Sequence, residues 1–292
     1  MKKDQNVKMI AIEKFENFSM QNKLYQNNNP KDKEILFNAW SALVNQLEQN
    51  IQSTTNDKDI TNMVLKLDHT LKVLEKTLII LYGENFSSNN ELLLSSQLSA
   101  IFHDISRFEQ LRLYHTFNDA QSFNHAQYSV KILKEENLLS SLPINIQNTV
   151  LTSIEHHSSA TLPIIETEDT LLCAKILRDA DKLDILRIFA LYLDNPENSA
   201  IVYNFKDSGT LSKEVWEHLQ NNTIPPYTIM KSSIDYLLSR MQWVYDFNFK
   251  TTCIEVKKSL FLEKLKSKLP ASIPEVELYY NKTSNDLNQR TQ

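Results

Sequence analysis

The chain has 292 residues, 41% of them hydrophobic and 23% charged, with a formal net charge of −5. That is the make-up of an ordinary soluble globular protein. The acidic balance argues against a broad electrostatic nucleic-acid binder, which would carry a basic face.

Only two glycines occur, Gly83 and Gly209. Phosphate-cradling loops and dinucleotide fingerprints need several glycines for close backbone approach, so a P-loop, a Rossmann turn and a nucleophile elbow are all absent. Primed hairpin turns favour glycine too, and the scarcity predicts an all-α fold. The two cysteines, Cys173 and Cys253, form no CxxC pair, which argues against a thiolate metal site and fits a reducing compartment. No apolar run of signal-peptide length follows Met1-Lys2-Lys3, and the run Leu78 to Tyr82 is far too short to span a bilayer. The expectation is a cytoplasmic protein with no membrane contact.

Residues 1–55 are expected to hold one or two helices, including one over about 33–52. Residues 56–195 carry the histidines and the longest helices, and a helical extension over about 196–280 has helices near 212–220, 228–247 and 251–268. The polar end, 281–292, is expected to fray. No repeat and no Gly/Ser/Pro linker separates these parts, so a single domain over 1–292 is the simplest organisation. Asparagine-rich stretches such as Asn27 to Asn29 read as compositional.

Between about 60 and 82, Ile60, Val64, Leu67, Leu71, Leu74, Leu78 and Leu81 recur at spacings of three and four, and a second line holds Leu65, His69, Val73 and Ile80. A helix apolar on two sides is buried on two sides, which places His69 inside the fold. Between 143 and 157, Ile146, Val150, Ile154 and His157 share a face, whereas His156 lies beside Thr149, Thr152 and Ser153. If only one of the pair is a ligand, the spacing favours His157. Between about 170 and 194, Asp181 interrupts the apolar line Ala174, Leu177, Ile185 and Ile188. A buried carboxylate needs a cation, a metal or strong donors. Asp184 lies on a neighbouring line with Leu177, Ile188 and Leu191, so periodicity alone does not choose between the two.

Six of the seven histidines fall between His69 and His157. The ordered set is His69, His103-Asp104, His125, His156-His157 and Asp181. Imidazole plus carboxylate is a natural ligand set for a borderline divalent cation. Adjacent helical residues such as His103 and Asp104 diverge by about 100°, so they can reach one ion from different sides while the carboxylate bridges to a second.

The string Leu98-Ser-Ala-Ile-Phe-His103-Asp104-Ile-Ser-Arg107-Phe resembles the signature of the HD superfamily. His69 in Leu67-Asp-His69-Thr-Leu matches that family's first histidine, and Asp181 in Arg178-Asp-Ala-Asp181-Lys-Leu-Asp184 matches its terminal aspartate. His125 and His157 fall where relatives that bind two metals carry extra ligands. Phe108-Glu-Gln and Tyr114-His-Thr-Phe-Asn-Asp119 are similar to a bacterial HD subgroup of uncharacterised hydrolases. One departure is Ser106, which stands where a glycine is common and is expected to narrow the pocket.

The resemblance implies an HD helical bundle with its core over about 56–195 and additional N- and C-terminal helices. It implies a metal-dependent phosphohydrolase acting on a phosphorylated small molecule, most plausibly a nucleotide. The ligand candidates are His69, His103, Asp104, His125, His156, His157 and Asp181, with Asp104 as the bridge. One or two ions of manganese, iron, zinc, nickel, cobalt or magnesium would activate water and polarise a phosphoryl oxygen. Arg107 and Lys182 are the candidate phosphate contacts. His115 and His218 are expected at the surface or behind the ligands, and Tyr236, Trp243, Tyr245, Phe247 and Phe249 in packing. Two alternatives stand beside this: a non-catalytic HD domain that senses a ligand or scaffolds a partner, and a di-iron oxygenase of the HD type. The oligomeric state is open.

Overall fold

With so little glycine, the chain ends its helices with asparagine. The computed structural model describes residues 2–194 and 209–292. Asn22, Asn29, Asn56, Asn89 and Asn124 each precede an α-helix in extended backbone, and their side-chain oxygens accept N–H bonds from its first turn, satisfying donors that would otherwise be orphaned. Asn85, Asn137 and Asn222 take left-handed φ of 61°, 54° and 55° after helix ends, a conformation asparagine tolerates better than most residues. The asparagines read as compositional therefore have a structural role.

Every regular element among the described residues is helical. The helices are α1 (Lys2–Gln21), α2 (Lys23–Gln26), α3 (Pro30–Gln52), α4 (Asp57–Gly83), α5 (Asn90–Phe102), α6 (Arg107–Tyr114), α7 (His125–Glu135), α8 (Ile144–His156), α9 (Glu168–Asp194), α10 (Lys213–Gln220), α11 (Ser233–Met241), α12 (Lys250–Lys258), α13 (Phe261–Ser267) and α14 (Pro274–Arg290). Among the described residues, no helix is long and apolar enough to cross a membrane. The chain divides into two compact units, Met1–Asp181 and Lys182–Gln292. That boundary falls inside α9, ahead of the core boundary expected near 195.

In the first unit α5 is the inner helix. Every residue from Leu92 to Phe102 is buried, and α3, α4 and α8 pack around it. Because α5 has no solvent face, its sequence carries no amphipathic stripe. Among its polar side chains, Gln97 exchanges amide hydrogen bonds with Asn28 at 2.9 Å in each direction. At the other side of α3, the Trp40 ring stacks on Phe15 at 5.0 Å, and its Nε1 donates to the Ala11 carbonyl of α1.

In the second unit, two expected helices are divided. The one near 228–247 is a short 3-10 turn, then α11, then a second 3-10 turn. Ser232 starts α11 by accepting from the Asp235 N–H, and Asp235, fully buried, accepts the backbone N–H groups of Ser212 and Lys231. The one near 251–268 breaks into α12 and α13 at Leu260, whose φ is 53°. The polar tail does not fray. α14 runs to Arg290 and buries Tyr279, Thr283 and Leu287 at a four-residue spacing, and the Arg290 guanidinium donates to the Phe247 carbonyl at 2.6 Å. The hydrophilic composition hid a single buried stripe.

Candidate metal centre

Five elements of the first unit deliver one ligand or ligand pair each. His69 lies in the middle of α4 and is 1% exposed. His103 caps α5 and Asp104 opens the tight turn into α6, where the Arg107 N–H donates to the Asp104 carbonyl. His125 is the first residue of α7, His157 caps α8, and Asp181 sits on α9. Helix ends are useful here, because a terminal residue can turn its side chain inward without a following turn blocking it.

The ligand atoms gather into two groups, His69, His103 and Asp181, and Asp104, His125 and His157; within each group they lie within 4.8 Å of one another. In the first, His69 Nε2 is 3.1 Å from Asp181 Oδ1 and 3.3 Å from His103 Nε2. In the second, His125 Nε2 is 3.1 Å from His157 Nε2 and 3.6 Å from Asp104 Oδ1. The other oxygen of Asp104 faces the first group, 3.5 Å from His103 Nε2 and 3.7 Å from His69 Nε2.

The ring tautomers say what belongs between these groups. His103 Nδ1 lies 2.9 Å from the Ala100 carbonyl and His157 Nδ1 lies 2.7 Å from the Ile154 carbonyl. A carbonyl only accepts, so both Nδ1 atoms carry the proton and both Nε2 atoms are bare lone pairs. His125 Nδ1 faces the Asp119 carboxylate at 2.5 Å and donates to it, which leaves its Nε2 bare as well. Two lone pairs then point at each other across 3.1 Å. That arrangement repels unless a cation lies against both, so the donor set fits a metal ion.

Electrostatics agree. Burial pushes the His103 imidazole below its ordinary 6.5. Burial, aided by Arg107, takes His125 down to about 4, and burial, aided by His103, takes His157 to about 4. Burial opposes ionisation of Asp104, but Lys66, His103, Arg107 and His125 together outweigh it and hold the carboxyl well below the usual range. Burial likewise opposes ionisation of Asp181, and the His69 hydrogen bond together with the electrostatic attraction of His69, His103 and His157 outweighs it. Neutral imidazoles and ionised carboxylates are the protonation states that bind a cation.

The remaining candidates are placed elsewhere. His156 joins neither group. It is half-buried at the last position of α8, turned one residue away from His157, and its carbonyl accepts from Arg178 and from the Ser159 N–H. Arg107 is largely spent on protein contacts: Nε donates to Asp104 Oδ1 at 3.3 Å, and Nη1 to the Phe117 carbonyl and to Asp119 Oδ1. Lys182 forms an ion pair with Asp246 at 2.5 Å within the second unit, and Asp184 pairs with Arg187. His115 is exposed and paired with Asp59, and His218 is exposed beside Thr223. Ser106 is fully buried, but its hydroxyl donates to the His125 carbonyl at 2.7 Å; it ties α7 to the His103-Asp104 turn.

Two functional candidates were missed in the sequence. Lys66 Nζ is 2.7 Å from Asp104 Oδ2 and 5.2 Å from the centre of the Phe117 ring. Its signal was the three-residue spacing to His69, which puts both on one side of α4. Asp119 left no periodic signal, because it lies in the α6–α7 connection.

The family model for the HD domain matches residues 67–186. No curated protein and no solved structure matches the chain. The matched span begins just before His69 and ends just after Asp181, so it encloses both ligand groups. Domains of this kind bind divalent metals, and most are metal-dependent hydrolases. With its paired histidine and aspartate groups inside the matched span, the chain carries an HD domain over residues 67–186.

Proposed function

We propose that this protein is a phosphohydrolase that holds two divalent cations, one on His69, His103 and Asp181 and one on Asp104, His125 and His157, and cleaves a phosphoester of a nucleotide or another phosphorylated small molecule. The observation that carries this reading is Asp104, whose two oxygens face the two histidine sets separately. A carboxylate so placed is suited to bridging. Four imidazoles with two carboxylates favour a transition ion such as manganese, iron, zinc, nickel or cobalt over magnesium.

When bound, the cations would supply an activated water and a polarised phosphoryl oxygen. The protein's own side chains do the rest. The three bare Nε2 atoms of His103, His125 and His157 are held in register by hydrogen bonds at their Nδ1 atoms, so the ligands are oriented before the cations arrive. Lys66 and Arg107 flank Asp104 and both lie over Phe117. They bring positive charge to the side of the site where a phosphoryl group would approach Asp104. Lys182 is set aside as a phosphate contact because it is paired with Asp246.

The test is phosphate release from a panel of nucleotides and phosphomonoesters with manganese added, comparing wild type with Asp104→Ala. Turnover that disappears in the variant supports the reading. Absence of turnover on every member, with metal confirmed by elemental analysis, refutes it. The same six ligands suit a di-iron oxygenase, which oxygen-dependent turnover of a non-hydrolysed substrate would reveal.

A further inference from the structure

The three tautomer-fixing hydrogen bonds are not equivalent. For His103 and His157 the partner is a carbonyl three residues earlier in the same helix, Ala100 and Ile154. Any residue types at those positions supply it. His125 opens its helix, so no preceding turn lies beneath it. Its ring is held instead by a side chain from the connection between α6 and α7: Asp119 Oδ2 accepts from the ring Nδ1 at 2.5 Å and also from the His125 backbone N–H at 3.2 Å. One carboxylate oxygen thus sets both the ring and the start of α7.

Asp119 is itself held from the other side. Its Oδ1 accepts from Arg107 Nη1 at 2.9 Å and from Gln110 Nε2 at 3.0 Å. Gln110 Nε2 also donates to the Ser122 hydroxyl at 2.7 Å, and Arg107 Nη1 to the Phe117 carbonyl at 2.8 Å. Arg107 Nε in turn reaches Asp104. Two of the three ligands of the second group, Asp104 and His125, are therefore joined through Arg107 and Asp119.

We propose that Asp119 is a positioning residue for the cation held by Asp104, His125 and His157, because its carboxylate fixes the His125 ring and is joined through Arg107 to Asp104. A carboxylate behind a ligating imidazole fixes its orientation and raises its basicity, and removing such a partner typically costs about 10–100-fold in metal affinity. The two positions would then fill unequally: loss of the Asp119 carboxylate would weaken the second position, whose ligand His125 it holds, more than the first. The inference rests on the two-cation reading, and its test measures cation binding itself.

The experiment is calorimetric titration of the full, metal-stripped chain with manganous ion for wild type, Asp119→Asn and Asp119→Ala, repeated with cobaltous ion to read the ligand-field spectrum of each bound ion. Asp119→Asn is nearly isosteric and keeps the connection filled if the alanine variant unfolds. The expected result is two ions per chain in wild type, with one of them weakened about 10–100-fold in the variants and the spectrum of the other unchanged. His125→Ala should remove the same ion. Unchanged affinity for both ions in both variants overturns the inference alone, as does equal weakening of both. One ion per wild-type chain overturns the two-cation reading with it.

Discussion

The buried imidazoles make a quantitative demand on stability in the metal-free protein. His125 and His157 are held neutral, each with a folded-state pKa of about 4, against about 6.5 in an unfolded chain. As pH falls below 6.5 the unfolded chain takes up these protons and the folded protein does not. The stability contributed by each ring is therefore fully present above pH 6.5 and lost as pH falls through 4. Between pH 7 and pH 5 the loss is about 2 kcal/mol per ring, or about 4 kcal/mol for the pair. Asp104, Asp119 and Asp181 are shifted below 3.8, so their contribution is present above 3.8 and is lost only at lower pH. The histidines thus dominate the window. The assay is urea denaturation of chelator-treated protein at pH 7 and pH 5, followed by Trp40 fluorescence in a Trp216→Phe, Trp243→Phe background, which confines the signal to the first unit. A drop of a few kcal/mol that shrinks in the double variant His125→Gln, His157→Gln is expected, with the buried His103 ring supplying what remains. A change below about 1 kcal/mol in the parent would refute the claim that both rings are buried and neutral.

Other consequences follow from the same geometry. At neutral pH, a cation present at a hundred times its dissociation constant should add about 2.7 kcal/mol of stability per site, seen as a rise in melting temperature that excess chelator reverses. Lys66→Met should lower kcat/KM about 10–100-fold, the equivalent of about 1.5–3 kcal/mol for one charge-assisted hydrogen bond, with the number of bound cations unchanged by elemental analysis. Ser106→Ala should destabilise the first unit by about 1–2 kcal/mol, because the buried His125 carbonyl and Ser129 hydroxyl each lose a partner; urea titration checks it, and a neutral result would assign the serine no tethering role. Leu260→Gly should stabilise the second unit by about 0.5–1 kcal/mol, since the left-handed backbone there strains a leucine and suits a glycine, as read from Trp216 and Trp243 fluorescence.

The parts of this fold that could be read from sequence were those with a one-sided environment. α4 and α8 bury defined faces, and their three- and four-residue spacings placed His69 and His157 inward correctly. The order of histidines and aspartates made the HD pattern recognisable before any contact was known. α5 was illegible because it is buried on all sides, and the break at Leu260 was hidden because neither glycine nor proline marks it. Asp119 and Lys66 act through partners 6 and 38 residues away in sequence, a relation that periodicity does not encode. His156 and His157 are adjacent, and only the geometry of the α8 end separates them.

The asparagine helix ends bear on how this protein ages. Asparagine amides hydrolyse slowly to aspartate, fastest where glycine follows, and neither glycine of this chain follows an asparagine. Where the reaction does occur at Asn22, Asn56 or Asn124, the product is an equally good N-terminal cap, whereas the amides of Asn29 and Asn89 donate to the carboxylates of Asp32 and Asp169 and would lose those bonds. The new negative charge of such a cap faces the positive end of the helix dipole. Unrearranged aspartate in place of Asn22, Asn56 or Asn124 should be silent or mildly stabilising, so the slow chemistry that erodes many proteins would leave the helix starts around His69 and His125 in working order.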